Sequence, residues 1–231
     1  MQAVILTAGK GKRIRPITKW IPKSLINFNG KTILDIQLEW LKSQFVSNIL
    51  VLIGYKGTQI SNHLRMRKGE KPVVVRVCKN NANPPGTGGT LQKALPLLEC
   101  EFVCLYGDVF CPIDLKSLWK LHIKKSAGLT MTVFPRVNNP TDPNNVDYEN
   151  DLVTCYAKDG KQHKAIEAGV FVMERYLIES VKGSSWDLEY KIFPQIVRNG
   201  RVGAFESPIE PLEVGSFKGI ERFKKVMKVK K

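Results

Sequence analysis

A chain of 231 residues that is 43% apolar, 25% charged and 9% aromatic has the size and composition of one large α/β domain or two small ones. These values exclude a peptide hormone, a disulfide mini-protein and a disordered chain. The net charge of +15 resides in residues 10–23, 65–71 and 222–231, and the rest of the chain is electrically balanced.

Residues 3–7 open the chain as a short buried strand, with no basic n-region or cleavage site before it, so a cytoplasmic location is expected. Further apolar runs of strand length stand at 49–54, 73–77, 102–106, 129–134, 152–157, 170–173 and 202–205. All fall far below the roughly 18 residues that a membrane helix needs. Between the early runs lie helical patterns. Leu34, Leu38, Leu41 and Phe45 share one face, as do Leu115, Leu118, Trp119 and His122, and Thr32 and Thr58 are candidate N-caps. Residues 135–150, rich in Pro, Asn and Asp, read as a long loop. A β pair around the turn at 158–164, a helix at 186–199 restarted by Pro194, and a last helix from about Phe217 complete the order.

This order predicts a three-layer, Rossmann-like, mostly parallel twisted sheet with helices on both faces. It is expected to be one domain over 1–231, with a regularly alternating half over about 1–130 and a less regular half over about 131–231. Cys78, Cys100, Cys104, Cys111 and Cys155 form no CxxC pair and read as reduced, mainly buried thiols. His63, His122 and His163 show no spacing for a triad or a metal site, and Trp20 is expected to pack against its loop. The C-terminal bases read as a solvated, frayed end.

The bases of residues 10–23 are different, because they stand among glycines and prolines directly after the first strand. Thr7-Ala8-Gly9-Lys10-Gly11-Lys12-Arg13 is the order in which α/β folds present backbone N–H groups to phosphate. It is not a dinucleotide fingerprint, since Ile14 stands where the last glycine would be, and it lacks the GK[ST] of a Walker loop.

Leu6, Ala8, Gly9, Gly11, Arg13, Pro16, Thr18, Pro22, Lys23 and Leu25 match LxAGxGxRxxPxTxxxPKxL, and through them the chain resembles the sugar-1-phosphate nucleotidyltransferases. The resemblance extends to a second glycine-rich loop, Pro85-Gly86-Thr87-Gly88-Gly89-Thr90, and to a strand-end Gly107-Asp108. It continues through Glu167-Ala168-Gly169-Val170, Asp187-Leu188-Glu189 and Glu213-Val214-Gly215-Ser216, and so runs from residue 3 to about 225. It implies the short form without a C-terminal β-helix.

By this resemblance, Arg13 and Lys23 are the catalytic cations, and Leu6, Ala8, Gly9, Lys10, Gly11, Lys12, Pro85, Gly86, Thr87, Gly88 and Asp108 help to bind a nucleoside triphosphate. Gly107, Lys158, Glu167, Gly169 and Glu189 face the sugar phosphate, with Lys161 and Lys164 as competitors of Lys158 on its turn. Asp108 and Glu213 hold Mg²⁺, although Glu213 is one methylene longer than the family's aspartate and has a structural alternative. The EKP motif of many relatives is missing.

The implied reaction joins a nucleoside triphosphate and a sugar 1-phosphate into an NDP-sugar and pyrophosphate. Two readings stand beside it: cytidylyl transfer to phosphocholine or another non-sugar phosphate, and a non-catalytic nucleotide-binding regulatory subunit. Neither a membrane nor nucleic acid is expected as a partner, and a homo-oligomer is compatible with the sequence.

Overall fold

The computed structural model describes residues 1–67, 72–78, 83–137, 143–159, 161, 163–200 and 202–229. Parts of two basic runs, 68–71 and 230–231, and part of the expected loop, 138–142, lie outside the described residues.

The strands are β1 (Gln2–Leu6), β2 (Asn27–Phe28), β3 (Lys31–Thr32), β4 (Asn48–Ile53), β5 (Val73–Arg76), β6 (Glu101–Tyr106), β7 (Val109–Phe110), β8 (Leu129–Pro135), β9 (Val146–Glu149), β10 (Leu152–Tyr156), β11 (Ala165–Glu174), β12 (Val202–Glu206) and β13 (Leu212–Glu213). The helices are α1 (Ile17–Trp20), α2 (Ile33–Ser43), α3 (Gly57–Met66), α4 (Gly86–Gln92), α5 (Leu115–Lys125), α6 (Tyr176–Glu179), α7 (Leu188–Lys191), α8 (Phe193–Arg198) and α9 (Phe217–Val229).

Nine strands form one sheet in the order β5-β4-β1-β6-β11-β8-β12-β10-β9. The β5-β4-β1-β6 half is parallel throughout, as its alternation with helices requires. β11 then enters antiparallel between β6 and β8, which joins the second half to the first.

Alternation along the strands sends side chains into two cores. Ala3, Ile5, Val51, Val103 and Leu105 pack under α2, α3 and α5. Val4, Leu6, Leu52, Phe102 and Cys104 pack under α4, α6, α7 and α8. A third, smaller core joins Ile14, Phe28 and Ile33 near the N-terminus to Val214, Ile220 and Phe223. Phe28 stacks on Phe223 with ring centroids 4.3 Å apart. The last helix is therefore fastened to the loop that follows β1.

Several expectations change. Residues 146–149 are not loop: Val146 and Tyr148 alternate as β9, which pairs with β10 and touches β11 at Ala165. The two strands flanking the 158–164 turn therefore do not pair with each other. Thr32 caps α2 in a capping box with Asp35, but α3 begins behind Lys56, so Thr58 lies inside the helix. Phe45 falls beyond the end of α2 and is 96% exposed. Trp20 is exposed rather than packed. Arg222, Lys224, Lys225 and Lys228 stand on α9, whose Ile220 and Phe223 are buried. All five cysteines are free; Cys104 and Cys111 are buried, while Cys100 is exposed.

Candidate active site

A cleft of about 900 Å³ opens beside the ends of β1 and β6. β1 has β4 on one side and β6 on the other, and the chain crosses back between them after β5. Strand ends at such a switch point are where open α/β sheets bind ligands.

The loop after β1 forms one wall. Gly11 has a φ of 62°, and a Cβ there would lie 2.7 Å from Thr18 Cγ2 and 2.8 Å from Lys23 Cγ. Backbone conformation and space both demand glycine. The Thr18 hydroxyl donates to the Gly11 carbonyl at 2.9 Å, folding the loop back over Lys23. Lys23 Nζ emerges into the cleft 2.5 Å from Asp108 Oδ2.

Asp108 follows β6, and its neighbour β7 pairs with β13 so that Glu213 stands opposite Val109. That short pairing carries Glu213 to the side of Asp108 across half the length of the chain. A Cβ on Gly215 would lie 2.7 Å from Glu213 Oε2, 2.9 Å from Arg13 Nη2 and 3.4 Å from Asp108 Oδ2. Two carboxylates and one guanidinium thus surround a small space that glycine keeps open. The Gly215 N–H and the Ser216 hydroxyl both donate to Glu213, fixing its longer side chain. Carboxylate oxygens converging in this way suit a hard divalent cation such as Mg²⁺.

The opposite wall comes from β10, β11 and the chain before α7. Lys158 Nζ lies 2.7 Å from Glu189 Oε2 and 5.8 Å from the centre of the Tyr190 ring. Of the three turn lysines, Lys158 alone lines the cleft. Lys161, instead, pairs with Asp159 at 3.6 Å and is exposed. Glu167 sits where β11 bulges against β8, and it accepts from the Gly169 N–H at 2.6 Å. Burial and the Glu189 charge push the Glu167 carboxyl up to about 8, against the opposing Gly169 N–H and Lys158. It is therefore mostly protonated at neutral pH and able to donate a hydrogen bond. Nearby, the buried hydroxyl of Tyr106 has no partner among the described residues.

The second glycine-rich loop is packed against the chain before α7. The Thr87 N–H donates to Asp187 Oδ1 at 2.7 Å, and the Gly88 N–H to the Trp186 carbonyl at 3.0 Å. A Cβ on Gly88 would overlap the Trp186 ring, so this glycine allows α4 to close on the chain before α7.

Leu6, Ala8, Gly9, Arg13, Lys23, Gly86, Thr87, Gly107, Asp108, Lys158, Glu167, Gly169, Glu189 and Glu213 all line the cleft. Lys10, Gly11, Lys12, Pro85 and Gly88 are not among its lining residues. Lys10 bonds Asn83 at 2.6 Å, and Lys12 is exposed.

The sequence reading missed Arg136, Asn144 and Asn145, which line the cleft from the segment taken for loop, and Lys218 and Arg222, which line it from α9. Arg136 Nε donates to Asn144 Oδ1 at 3.0 Å, and Asn145 Oδ1 accepts from the Glu167 N–H at 2.9 Å. The helical spacing of the buried Ile220 and Phe223 is a signal that could have placed Arg222 on a packed helix.

Residues 2–144 match the family described as nucleotidyl transferase, and the chain belongs to that family. Within it, the catalytic subunit beta of mannose-1-phosphate guanylyltransferase from Danio rerio is 26% identical over 220 residues, covering 89% of this chain and 59% of the relative. The chain spans about three fifths of the length of the curated relatives it matches.

Among solved structures, HddC from Yersinia pseudotuberculosis superimposes with a TM-score of 0.84 at 22% identity, over 100% of this chain and 99% of that one. HddC is also known complexed with GMP-PN. The inositol-1-phosphate CTP transferase from T. maritima superimposes with a TM-score of 0.75 at 20% identity, over 98% of this chain and 94% of that one. At these identities the likeness is one of fold.

Proposed function

We propose that the chain joins a nucleoside triphosphate to a sugar 1-phosphate, releasing pyrophosphate. The observation that carries this reading is the convergence of Arg13, Lys23, Asp108 and Glu213 at one end of a cleft whose other end holds Lys158, Glu167 and Glu189. One end suits a triphosphate, and the other suits a phosphate with hydroxyls attached.

In the reaction, an oxygen of the sugar 1-phosphate attacks the α-phosphorus of the triphosphate. The bond from that phosphorus to the bridging oxygen breaks, and pyrophosphate leaves with the electron pair. A phosphate monoester with a second pKa of about 6 is already ionised at neutral pH, so no general base is needed. What remains is to position two anions and offset their charge.

The Arg13 fork suits bidentate contact with the β and γ phosphates, beside the backbone of Gly9. Lys23, held at the cleft by Asp108, suits the α-phosphate. Lys158 and Arg136 offset the acceptor phosphate from the opposite wall. Glu189, Asn145 and the protonated Glu167 offer acceptors and a donor to sugar hydroxyls. Asp108 and Glu213 would hold Mg²⁺, which supplies further charge stabilisation to the phosphates when bound. Residues 1–130 thus serve the nucleotide and residues 131–231 the sugar phosphate, with Glu213 contributed back to the first site.

The phosphocholine alternative needs an aromatic cage for a quaternary ammonium. Tyr106 is the single aromatic side chain among the described lining residues, whereas carboxylates and amides are plentiful. This composition favours a hydroxyl-rich acceptor.

The test follows pyrophosphate release from single nucleoside triphosphates with a panel of sugar 1-phosphates, starting with GTP and mannose 1-phosphate because of the Danio rerio relative. Release with at least one pair, lost in Lys23→Ala, is expected. A folded protein that releases none with any pair would refute the reading.

A further inference from the structure

At the end of the sheet away from the cleft, Glu101 opens β6 and Glu174 closes β11, and the register sets the two directly opposite each other. Like charges in that position destabilise an antiparallel pair. Both residues share strand parity with Val103, Leu105, Val170 and Val172, whose side chains pack under α5. Among the described residues, no hydrogen bond or ion pair relieves either carboxylate.

His122 reaches the same place from α5. It is 1% exposed, and its Nδ1 lies 2.9 Å from Thr130 Oγ1. Its Nε2 is buried without a hydrogen-bond partner. One ligand atom each from Glu101, His122 and Glu174 lies within 4.8 Å of the other two. A buried imidazole with one unpartnered nitrogen and two unrelieved carboxylates therefore share one small space without hydrogen bonds among them.

We propose that Glu101, His122 and Glu174 form a binding site for a divalent transition-metal ion, with Zn²⁺ as the type case, that staples α5 to the β6–β11 pair. The donor set suits such an ion, since imidazole and carboxylate together are ordinary zinc ligands. Thr130 supplies the hydrogen bond at the far ring nitrogen that ligating histidines usually make, holding the proton on Nδ1 and leaving the Nε2 lone pair for the metal. The carboxylates are only half-buried, which gives the ion a path of entry and leaves room for water at a fourth position.

Asp147, Cys155 and His163 lie equally close to one another. Their imidazole, however, already bonds Asp147 at 2.8 Å and Asp159 at 3.2 Å, so it is satisfied without a metal.

The test is thermal unfolding of the full chain, stripped by a chelator and titrated with ZnCl₂, beside the double variant Glu101→Gln, Glu174→Gln. These substitutions keep shape and remove repulsion, so the metal-free variant should melt no lower than the wild type. Wild-type Tm should rise by roughly 5–10 °C at a hundredfold excess over Kd, and calorimetry should report one site that the variant lacks. No rise in the wild type, an equal rise in the double variant, or a rise lost in His163→Ala would each overturn the proposal. An equal rise would place the ion elsewhere, for example at Asp108 and Glu213.

Discussion

The two ends of the cleft are built differently. The cations of the phosphate end are almost contiguous: Arg13 and Lys23 sit on one loop whose shape is set locally, by the left-handed Gly11 and by Thr18 bonding back to it. The opposite end is assembled from Arg136, Asn145, Lys158, Glu167 and Glu189, brought together by the pairing of β8, β9 and β11 and by the seating of α7. Charge placed by a short loop serves a step common to many substrates. A wall gathered from distant segments is where substrate choice can change without disturbing that step.

Substitutions can break or sharpen this contrast. The largest effect is expected where α9 packs on the segment that follows the phosphate loop. Phe223→Ala empties a fully buried position stacked on Phe28 and should cost about 3–5 kcal/mol in urea unfolding. A loss below about 1 kcal/mol would mean that α9 does not anchor the loop.

Next comes Lys23→Ala, which should lower kcat/KM for pyrophosphate release by roughly 10²–10³, the usual loss on removing one transition-state donor. If instead the KM for sugar phosphate alone rose, Lys23 would belong with the other wall.

Glu167→Gln addresses that wall through pH. The wild-type carboxyl titrates near 8 when folded, above its usual 4.5, so its stabilisation is fully present below about 4.5 and is lost as pH rises through about 8. The Gln variant should match the wild type near pH 5 and exceed it near pH 9, by roughly 1–2 kcal/mol after allowing for hydration of the cleft. Parallel melting curves at all pH values would show that Glu167 is not desolvated by the fold.

The smallest effect belongs to Thr32→Ala. It removes one half of the capping box of α2 at a residue that does not line the cleft, and should cost about 1 kcal/mol with kcat unchanged.

The phosphate end was legible because its geometry is local. Glycine at 11 and threonine at 18 act on neighbours within the same loop, so their spacing in the chain is the spacing that matters. Asp108 was legible for a related reason, as the first residues after a buried strand fall at the sheet's rim. The other wall was read only in part. Lys158, Glu167 and Glu189 carried motif resemblances, but Arg136 and Asn145 stood in a segment whose Pro, Asn and Asp content masked the short strand β9. The packing of the second glycine loop was not legible either, since the Thr87, Gly88 and Gly89 N–H groups donate to Asp187 and Trp186, distant partners that no local pattern announces.

Hydrophobic periodicity and the glycine-rich loop determined, from the sequence alone, the three layers, the alternating first half and the cationic bend after the first strand, because each arises from interactions a few residues apart. Tertiary structure alone decided that β11 would enter antiparallel, that Glu213 would meet Asp108, that Arg222, Lys224 and Lys225 would stand on a packed helix, and that Glu101, His122 and Glu174 would face one another. Each of these depends on which surfaces bury each other once the chain has closed, and that choice is made by the whole core at once.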